Sequence, residues 1–283
     1  MVSAGDGSAL AAYAGDLQGN LWRFDLRALT VQRLFTAHDD AGTVQPIAHA
    51  PKVVFAPGGG YLVIFGTGKF IEQADTLVSS FKPQTIYAIH DRPLAASAAI
   101  DSRAELARRT LAPGAKGGYT VKGAAIDYFA PQAKHGWFVD LHNPRADGER
   151  AAASPTSVAG AIVLETLLPK TRECAAPGRR LYLLDAVSGL ALEDGGMTAP
   201  DAETGTLLPA ETIAPLLFIG GAPRVGARNA TGGAEATAVA TLLLPGADGA
   251  AGGVTIKVNF PARRLGWREV ANWQELHEAA SKK

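Results

Sequence analysis

A strand–turn–strand pattern near the N-terminus constrains the fold of this chain more than any other feature. An apolar run at 10–14 is followed by a turn at 15–20, which contains two glycines and an asparagine, and then by residues 21–26. The second run alternates with period two, so that Trp22 and Phe24 share one face of a strand. Glycine and asparagine accept the positive φ angles of tight turns. The segment therefore predicts a β-hairpin.

Composition extends this prediction to the rest of the chain. Gly and Pro together make up about 17% of the 283 residues, against a usual ~12%, which favours many short elements over a few long helices. Apolar residues are 47% and charged residues 19% of the chain, a globular balance. Further strands are predicted at 52–55, 61–65, 85–91, 136–141, 160–168, 179–189, 212–219, 238–244, 254–260 and 263–270.

One short helix is predicted near the middle of the chain. Ser102 and Glu105 have the S-x-x-E spacing of a capping box, in which each side chain accepts a hydrogen bond from a backbone N–H at the other position. The helix is expected to continue through Leu106 until Pro113 ends it. The last residues, 273–283, are interpreted as a second short amphipathic helix or a frayed end.

Aspartate recurs at the ends of four predicted strands, at intervals of 66, 49 and 45 residues. The blades of a β-propeller repeat every ~40–50 residues. The four carboxylates could form an acid/base ring, but an Asp at the end of a strand also caps the following turn with its own side chain. Their repeated placement favours the structural role. The four are Asp25, Asp91, Asp140 and Asp185.

The predicted fold class is therefore all-β, a partial β-propeller with one or two short helices. Residues 1–270 are expected to form the propeller domain and 271–283 a C-terminal tail. A β-sandwich is the alternative, since turns every 8–12 residues suit both architectures.

Composition and motif content disfavour several classes of function. Lys and Arg number 27, as do Asp and Glu, so no basic excess exists to neutralise the phosphates of a nucleic acid. The sequence contains no run of 18 apolar residues, so no membrane-spanning helix is predicted. The motifs of zinc peptidases, serine hydrolases and P-loop proteins are also missing. The single cysteine, Cys174, excludes an internal disulfide and a CxxC metal site.

The remaining charged and aromatic residues are interpreted as structural. None of the six histidines has the i, i+4 spacing of a helical metal pair. Two arginine pairs, Arg179–Arg180 and Arg263–Arg264, could contact an anionic partner, but each is expected to place one Arg on each face of a strand. The four tryptophans are expected to pack within the sheets. Residues 1–7 lack the basic and apolar stretches of a signal peptide, which taken literally predicts a cytoplasmic chain.

Several segments, in the same order along the chain, resemble the PilC/PilY family of type IV pilus tip-associated adhesins and biogenesis factors. The resemblance is strongest in the hairpin at 13–26 and in the glycine-rich stretch at 57–70, which ends in Gly-Thr-Gly-Lys-Phe. It extends over nearly the whole chain, from about 11 to 270. The other similar segments are 85–91, 102–106, 134–141, the Gly-Glu-Arg segment at 148–150, 180–189 and 263–269.

The resemblance implies a modified β-propeller with quinoprotein-like blades, from the C-terminal part of a longer pilus protein. It implies a non-enzymatic role at the cell surface, the pilus tip or the outer membrane. Pilus subunits, minor pilins and host-surface receptors are the implied partners. The implied functions are pilus assembly and retraction control, twitching motility, host adhesion and virulence.

The chain departs from the family pattern in two respects. Family members usually carry a calcium loop just before the hairpin, and here only Asp6 remains of its carboxylate ligands, followed by the turn residue Gly7. Because Ca²⁺ takes six to eight oxygen ligands, Asp6 alone is not expected to hold it, and no other cofactor is predicted. The resemblance also begins inside the propeller, which implies a domain truncated at its N-terminal side.

Two alternatives stay open beside the pilus role. The chain could be a degenerate or split-gene fragment without independent function. It could also be a quinoprotein-type propeller enzyme, although such enzymes need a calcium ion and often a pair of cysteines. If the chain binds partners, the irregular loops at 38–48, 92–100 and 190–211 are the expected contact regions.

Overall fold

The computed structural model describes residues 1–3, 7–92, 99–114, 117–130, 133–141, 147–158, 160–170, 177–192 and 203–208, and the strand backbones at 217–220, 224–228, 234–245 and 251–262. Strands dominate this described part, which confirms the all-β prediction. The strands are β1 Val2–Ser3, β2 Ala9–Gly15, β3 Asn20–Asp25, β4 Thr30–Thr36, β5 Lys52–Phe55, β6 Tyr61–Gly66, β7 Gln84–Asp91, β8 Ala107–Pro113, β9 Tyr119–Lys122, β10 Gly136–Leu141, β11 Arg150–Ala151, β12 Thr156–Val158, β13 Ala161–Leu168, β14 Gly178–Asp185, β15 Glu203–Thr204, β16 Thr206–Leu207, β17 Leu217–Gly220, β18 Arg224–Arg228, β19 Ala234–Pro245 and β20 Ala251–Ala262. The described helices are short 3₁₀ helices at Gln73–Thr76, Val78–Ser80 and Arg103–Glu105.

The first sheet is a four-stranded antiparallel meander in the order β1-β2-β3-β4. Its central hairpin is the one that the sequence predicts. The carboxylate of Asp16 accepts hydrogen bonds from the backbone N–H of Asn20 and the indole N–H of Trp22, both at 2.8 Å. Gly19 supplies the positive φ of +77° in the turn. A meander of this kind is the arrangement of one propeller blade.

The second sheet has seven strands in the order β15-β9-β8-β10-β7-β6-β5. Neighbouring strands are antiparallel apart from the parallel pair β8–β10. Asp91 and Asp140 lie on the adjacent antiparallel strands β7 and β10, and Asp140 is opposite Thr85 at the far end of β7. The repeat interpretation is therefore wrong for this pair, because the two residues do not occupy equivalent positions in successive blades.

The capping box at Ser102 is confirmed, but the predicted helix beyond it is wrong. The Ser102 hydroxyl accepts from the Ala104 N–H at 3.1 Å, and Glu105 accepts from the Ser102 N–H at 3.1 Å. The helix ends after one 3₁₀ turn, and Ala107–Pro113 forms strand β8. Ladder hydrogen bonds to β9 and β10 there outweigh the local preference for helix.

The third sheet has the order β11-β13-β14-β16, with β12 also paired to β13. Its long hairpin β13–β14 confirms the strands predicted at 160–168 and 179–189, although the second strand ends at Asp185. The fourth sheet pairs β17 and β18 with β19, and β19 with β20. The strand predicted at 263–270 and the tail at 271–283 lie outside the described residues, as do Asp6 and Cys174.

The second sheet lies at the centre of the described core, because its two faces enter different clusters of buried residues. On β6, Leu62 and Ile64 pack in one cluster, whereas Val63 and Phe65 pack in the other. The first cluster continues into the third sheet through Ile162, Leu164, Tyr182 and Leu184. The second continues into the first sheet through Tyr13, Leu21, Leu34 and Phe35. The period-two alternation of a strand thus joins three sheets.

Candidate functional site

Four charged residues from distant parts of the chain meet beside two central strands of the second sheet, β8 and β10. Asp40 lies in the loop after β4, Arg103 in the 3₁₀ helix, Arg108 on β8 and Asp140 on β10. The parallel pairing of β8 with β10 sets Arg108 beside Phe138. We call these four charged residues the Arg–Asp cluster.

The cluster is an alternating network of ion pairs. One nitrogen of Arg108, Nη2, donates to both carboxylate oxygens of Asp40, at 2.6 and 2.8 Å, while Nη1 donates to Asp140 at 3.1 Å. Arg103 donates to Asp140 through Nη2, and its Nη1 lies 3.2 Å from Asp40. The hydroxyl of Thr85 also donates to Asp140, at 2.8 Å. Each carboxylate is therefore shared by both guanidinium groups.

The two arginines differ in exposure although both stack on one ring. Their guanidinium carbons lie 4.1 Å (Arg103) and 4.8 Å (Arg108) from the centroid of Phe138. The Arg103 side chain is 6% exposed, whereas Arg108 is 47% and Asp40 62% exposed. The hydrogen bond from Arg108 lowers the pKa of Asp40 below its ordinary value, and the same pair raises the pKa of Arg108. The buried Nε of Arg103 has no hydrogen-bond partner in the described part of the chain.

Two adjoining cavities of about 440 and 470 Å³ flank the cluster. Both are lined by Asp39, Asp40, Arg103 and Arg108. The first extends to Leu106 and Phe138, and the second to Pro83 and Leu111. Together with the cluster, they form what we call the Arg–Asp groove. Such a balanced set of fixed charges beside apolar walls suits recognition of a polar group on a partner.

The four aspartates that the sequence singles out divide into two kinds. Asp25 accepts from the backbone N–H groups of Arg27 and Ala28 at 3.0 and 2.9 Å, and Asp185 accepts from Ser188 at 2.6 Å. These contacts confirm turn capping for both. The same prediction is wrong for the other two, because Asp140 belongs to the Arg–Asp cluster, and Asp91 is bound by Tyr13 and Arg23 instead of a turn.

The Gly-Glu-Arg segment at 148–150 joins the second and third sheets. Arg150 is buried and donates to the carbonyls of Gly148 and Lys69, both at 2.8 Å, and of Asp75 at 3.3 Å. Gly68 has a φ of +116°, and a Cβ there would lie 2.4 Å from the Cβ of Arg150. Gly68, the second glycine of the Gly-Thr-Gly-Lys stretch, therefore lies where two backbone segments approach each other closely. Its role is structural.

Glu149 in the same segment is a buried carboxylate. It accepts hydrogen bonds from Thr166 at 2.6 Å and from Tyr182 at 2.8 Å, and it lies 3.5 Å from the Nε of Arg180. Burial raises the pKa of Glu149 above its ordinary value, more than these partners lower it. The group stabilises the junction of β11, β13 and β14 and is enclosed by protein.

The structural interpretation is confirmed for the pair Arg179–Arg180 and for Trp137. Arg180 is buried over the ring of Tyr119 at 4.7 Å, while Arg179 pairs with Glu165 on the opposite face of β14. Trp137 is fully buried and donates its indole N–H to Ala186. Arg263 and Arg264 lie outside the described residues. Sequence reasoning did not predict the Arg–Asp groove, although it singled out two of its parts separately: the irregular loop at 38–48, which contains Asp40, and the strand-end residue Asp140.

The described residues hold no group of three or more His, Cys, Asp or Glu side chains placed to bind a metal ion. In this part of the chain, no helix has both the length and the apolar character needed to cross a membrane. Asp6, the one carboxylate that remains of the family's calcium loop, lies outside the described residues.

Sheets that are antiparallel apart from the pair β8–β10, and that begin with a four-stranded meander, define the class of the chain as an all-β protein of propeller type. Residues 30–121 match the family model of the PilY1 beta-propeller domain. This match confirms the resemblance to the PilC/PilY family, which segment 57–70 carries within the matched range.

Curated relatives support the same family. The type IV pilus biogenesis factor PilY1 of Pseudomonas aeruginosa strain PAO1 is 32% identical over 227 residues, covering 65% of this chain and 20% of the relative. A PilY1 homolog of Xylella fastidiosa is 33% identical over 207 residues, covering 65% of this chain and 14% of the relative. The chain thus spans a fifth or less of the length of these relatives.

A solved structure supports the fold. The crystal structure of the Pseudomonas aeruginosa PilY1 C-terminal domain matches with a TM-score of 0.59 and 24% sequence identity. The match covers 91% of this chain and 58% of that domain. At this identity the likeness concerns the fold, and it confirms the modified β-propeller that the resemblance implies.

Proposed function

We propose that the chain is the propeller portion of a type IV pilus biogenesis factor and acts at the cell surface. The observation that carries the proposal is the 32% identity over 227 residues to a protein described as a type IV pilus biogenesis factor. The family match at 30–121 supports it, because this range includes β4 to β8, most of β9 and three of the four residues of the Arg–Asp cluster.

The proposed mode of action is binding, without catalysis. Pilus subunits and minor pilins are the proposed partners in assembly and retraction, and host-surface receptors are the proposed partners in adhesion. Twitching motility would follow from the same contacts with the pilus. The Arg–Asp groove supports a binding role, since its charges are paired with one another and two of them, Arg108 and Asp140, stand on neighbouring strands of one sheet.

The chain is further proposed to work without a cofactor. Asp6 is the sole remnant of the family's calcium loop, and one carboxylate falls far short of the six to eight oxygens that Ca²⁺ takes. A thermal unfolding series in excess CaCl₂ and in EDTA tests this directly. Equal midpoints are expected, and a higher midpoint in calcium would contradict the proposal, because a ligand that binds the folded state stabilises it.

Cell fractionation tests the pilus role. The protein is detected by immunoblot in sheared pili from a strain that carries its gene and from a matched strain lacking the major pilin. Recovery with sheared pili from the first strain only is expected. A location confined to the cytoplasm in both strains would contradict the proposal and favour the reading of a fragment without independent function.

A further inference from the structure

We propose that the Arg–Asp groove binds a carboxylate side chain of an acidic peptide on a partner protein, in the position that Asp40 now occupies. Asp40 would then act as an internal competitor, which the partner's carboxylate displaces from the two arginines. Such a site gives the chain a specificity for acidic segments flanked by apolar residues. The inference concerns the groove itself and does not depend on the pilus role.

Asp40 is the member of the cluster that can leave at low cost. Its side chain is 62% exposed and belongs to a loop, whereas Arg103 is 6% and Asp140 24% exposed. The loop keeps its shape by other means, because Asp39 accepts from the N–H groups of Ala41 at 2.9 Å and Thr43 at 2.7 Å. Rotation of the Asp40 side chain therefore need not unfold the loop.

The groups left behind would form a receptor for one carboxylate. Without Asp40, two guanidinium groups face a single carboxylate, Asp140, which Thr85 also holds in place. One positive charge is then uncompensated. Arg103 adds Nη1, which Asp40 now holds at 3.2 Å, and a buried Nε that has no hydrogen-bond partner among the described residues. Guanidinium groups match the planar, singly charged carboxylate in both charge and shape.

Apolar residues border the cavities on both sides of Asp40, the nearly buried Leu106 and Phe138 on one side and the more exposed Pro83 and Leu111 on the other, and they indicate what surrounds the incoming carboxylate. Because both cavities border Asp40, a short peptide can place its acidic side chain on the arginines and an apolar side chain in each cavity. This arrangement favours a peptide over a free inorganic anion, which would gain nothing from the apolar walls.

The test is a titration of the isotope-labelled full chain, followed by the NMR signals of the arginine side chains. The probe is the blocked peptide acetyl-Ala-Leu-Asp-Leu-Ala-amide, and the control peptide has Asn in place of Asp. Asp40→Asn is expected to tighten binding of the acidic peptide about two- to fivefold, because it weakens the internal competitor. Arg108→Gln is expected to weaken binding at least tenfold. Arg33→Gln, at an exposed position on β4, is the matched control and should leave binding unchanged.

Three results would overturn the inference. The Asn peptide could bind as tightly as the Asp peptide, Asp40→Asn could leave the affinity unchanged, or inorganic phosphate could bind the groove more tightly than the peptide. If Arg108→Gln fails to fold by circular dichroism, the Asp40→Asn comparison decides the matter alone. A negative titration contradicts the groove assignment, whereas absence of the protein from sheared pili contradicts the proposed function, so the two failures are distinguishable.

Discussion

Tyr13 on β2 donates its hydroxyl hydrogen to the carboxylate of Asp91 at the end of β7, at 2.5 Å and across 78 residues of sequence. Arg23 on β3 approaches the other oxygen of Asp91 at 3.3 Å. The pKa of Tyr13 is raised well above its ordinary value, mainly by burial and secondly by the hydrogen bond to Asp91. The hydroxyl therefore stays protonated as a donor and ties the first sheet to the second.

Removal of this hydroxyl should weaken the junction between the first two sheets. Tyr13→Phe is expected to lower the free energy of unfolding by about 1.5–3 kcal/mol, the range for a buried hydrogen bond to a charged group. Chemical denaturation gives the value, and a double-mutant cycle with Asp91→Asn isolates the pair. A coupling energy near zero in that cycle would show that the two residues do not stabilise each other.

Glu149 should make stability fall as the pH rises. Its folded pKa lies above its ordinary value because of burial, so the folded state binds more protons than the unfolded state between the two values. The free energy of unfolding therefore decreases as pH rises through that window. Glu149→Gln removes this contribution. Measured from pH 4 to 8, the variant should gain stability relative to the parent as pH rises, and parallel curves would refute the assignment.

His90 should have the opposite pH dependence. Its Nε2 lies 2.9 Å from the carbonyl of Gly59, and its buried Nδ1 has no hydrogen-bond partner among the described residues. Burial lowers the pKa of His90. The unfolded state thus binds more protons below the ordinary His pKa of about 6.5, and stability is lost as the pH falls from there.

The variant His90→Phe tests this contribution, because it keeps an aromatic ring beside Tyr128 and cannot titrate. At pH 7 it should be less stable than the parent, since the hydrogen bond to Gly59 is lost. The difference in the free energy of unfolding should shrink between pH 7 and pH 5. A difference that stays constant, or grows, over this range would mean that His90 does not destabilise the fold when it is protonated.

Gly68 should tolerate substitution worse than a glycine of similar backbone geometry. An alanine at Gly68 would meet both a φ of +116° and the Cβ of Arg150 at 2.4 Å, so we expect a loss of about 2–4 kcal/mol. Gly42 also has a positive φ, +80°, but nothing within 4 Å of its Cβ position. Gly42→Ala is therefore the matched control, with an expected loss of about 1 kcal/mol. Equal losses in thermal or chemical unfolding would show that the contact with Arg150 is unimportant.

The sequence predicts strands well where apolar runs and turn residues agree. The hairpin β2–β3 and the strands β6, β7 and β10 lie within one or two residues of their predicted positions. Strand β4 was missed because a bulge breaks its alternation: Leu21 pairs with Phe35 and Trp22 with Arg33, so Leu34 is the extra residue. Leu34 and Phe35 are consecutive and both buried, a pattern that period two does not predict.

Strand β8 shows how tertiary contacts override local preference. Its Ala, Arg and Leu residues favour helix, yet the chain is extended, with Arg108 toward the Arg–Asp groove and Arg109 buried on the opposite face. Arg109 donates to the carbonyls of Ser188 at 2.7 Å and Ala124 at 2.8 Å. The local sequence gives no sign that an arginine will be buried with carbonyl partners, so this position could not be predicted.

The Arg–Asp groove could not be predicted for a similar reason. Asp40 and Asp140 are 100 residues apart, and their meeting depends on the parallel pairing of β8 with β10. Asp140 ends a strand and so matched the pattern of a turn cap. Strand order is set by packing of the whole domain and cannot be read from the spacing of residues along the chain.

The most direct test of the pilus role is deletion of the open reading frame in the strain that carries it, with surface pili counted by electron microscopy and adherence assayed in parallel. Loss of pili, restored by the parent gene supplied in trans, is the predicted result for a biogenesis factor. Retained pili with lost adherence would assign the chain to adhesion. Unchanged pili and unchanged adherence would contradict the pilus role altogether.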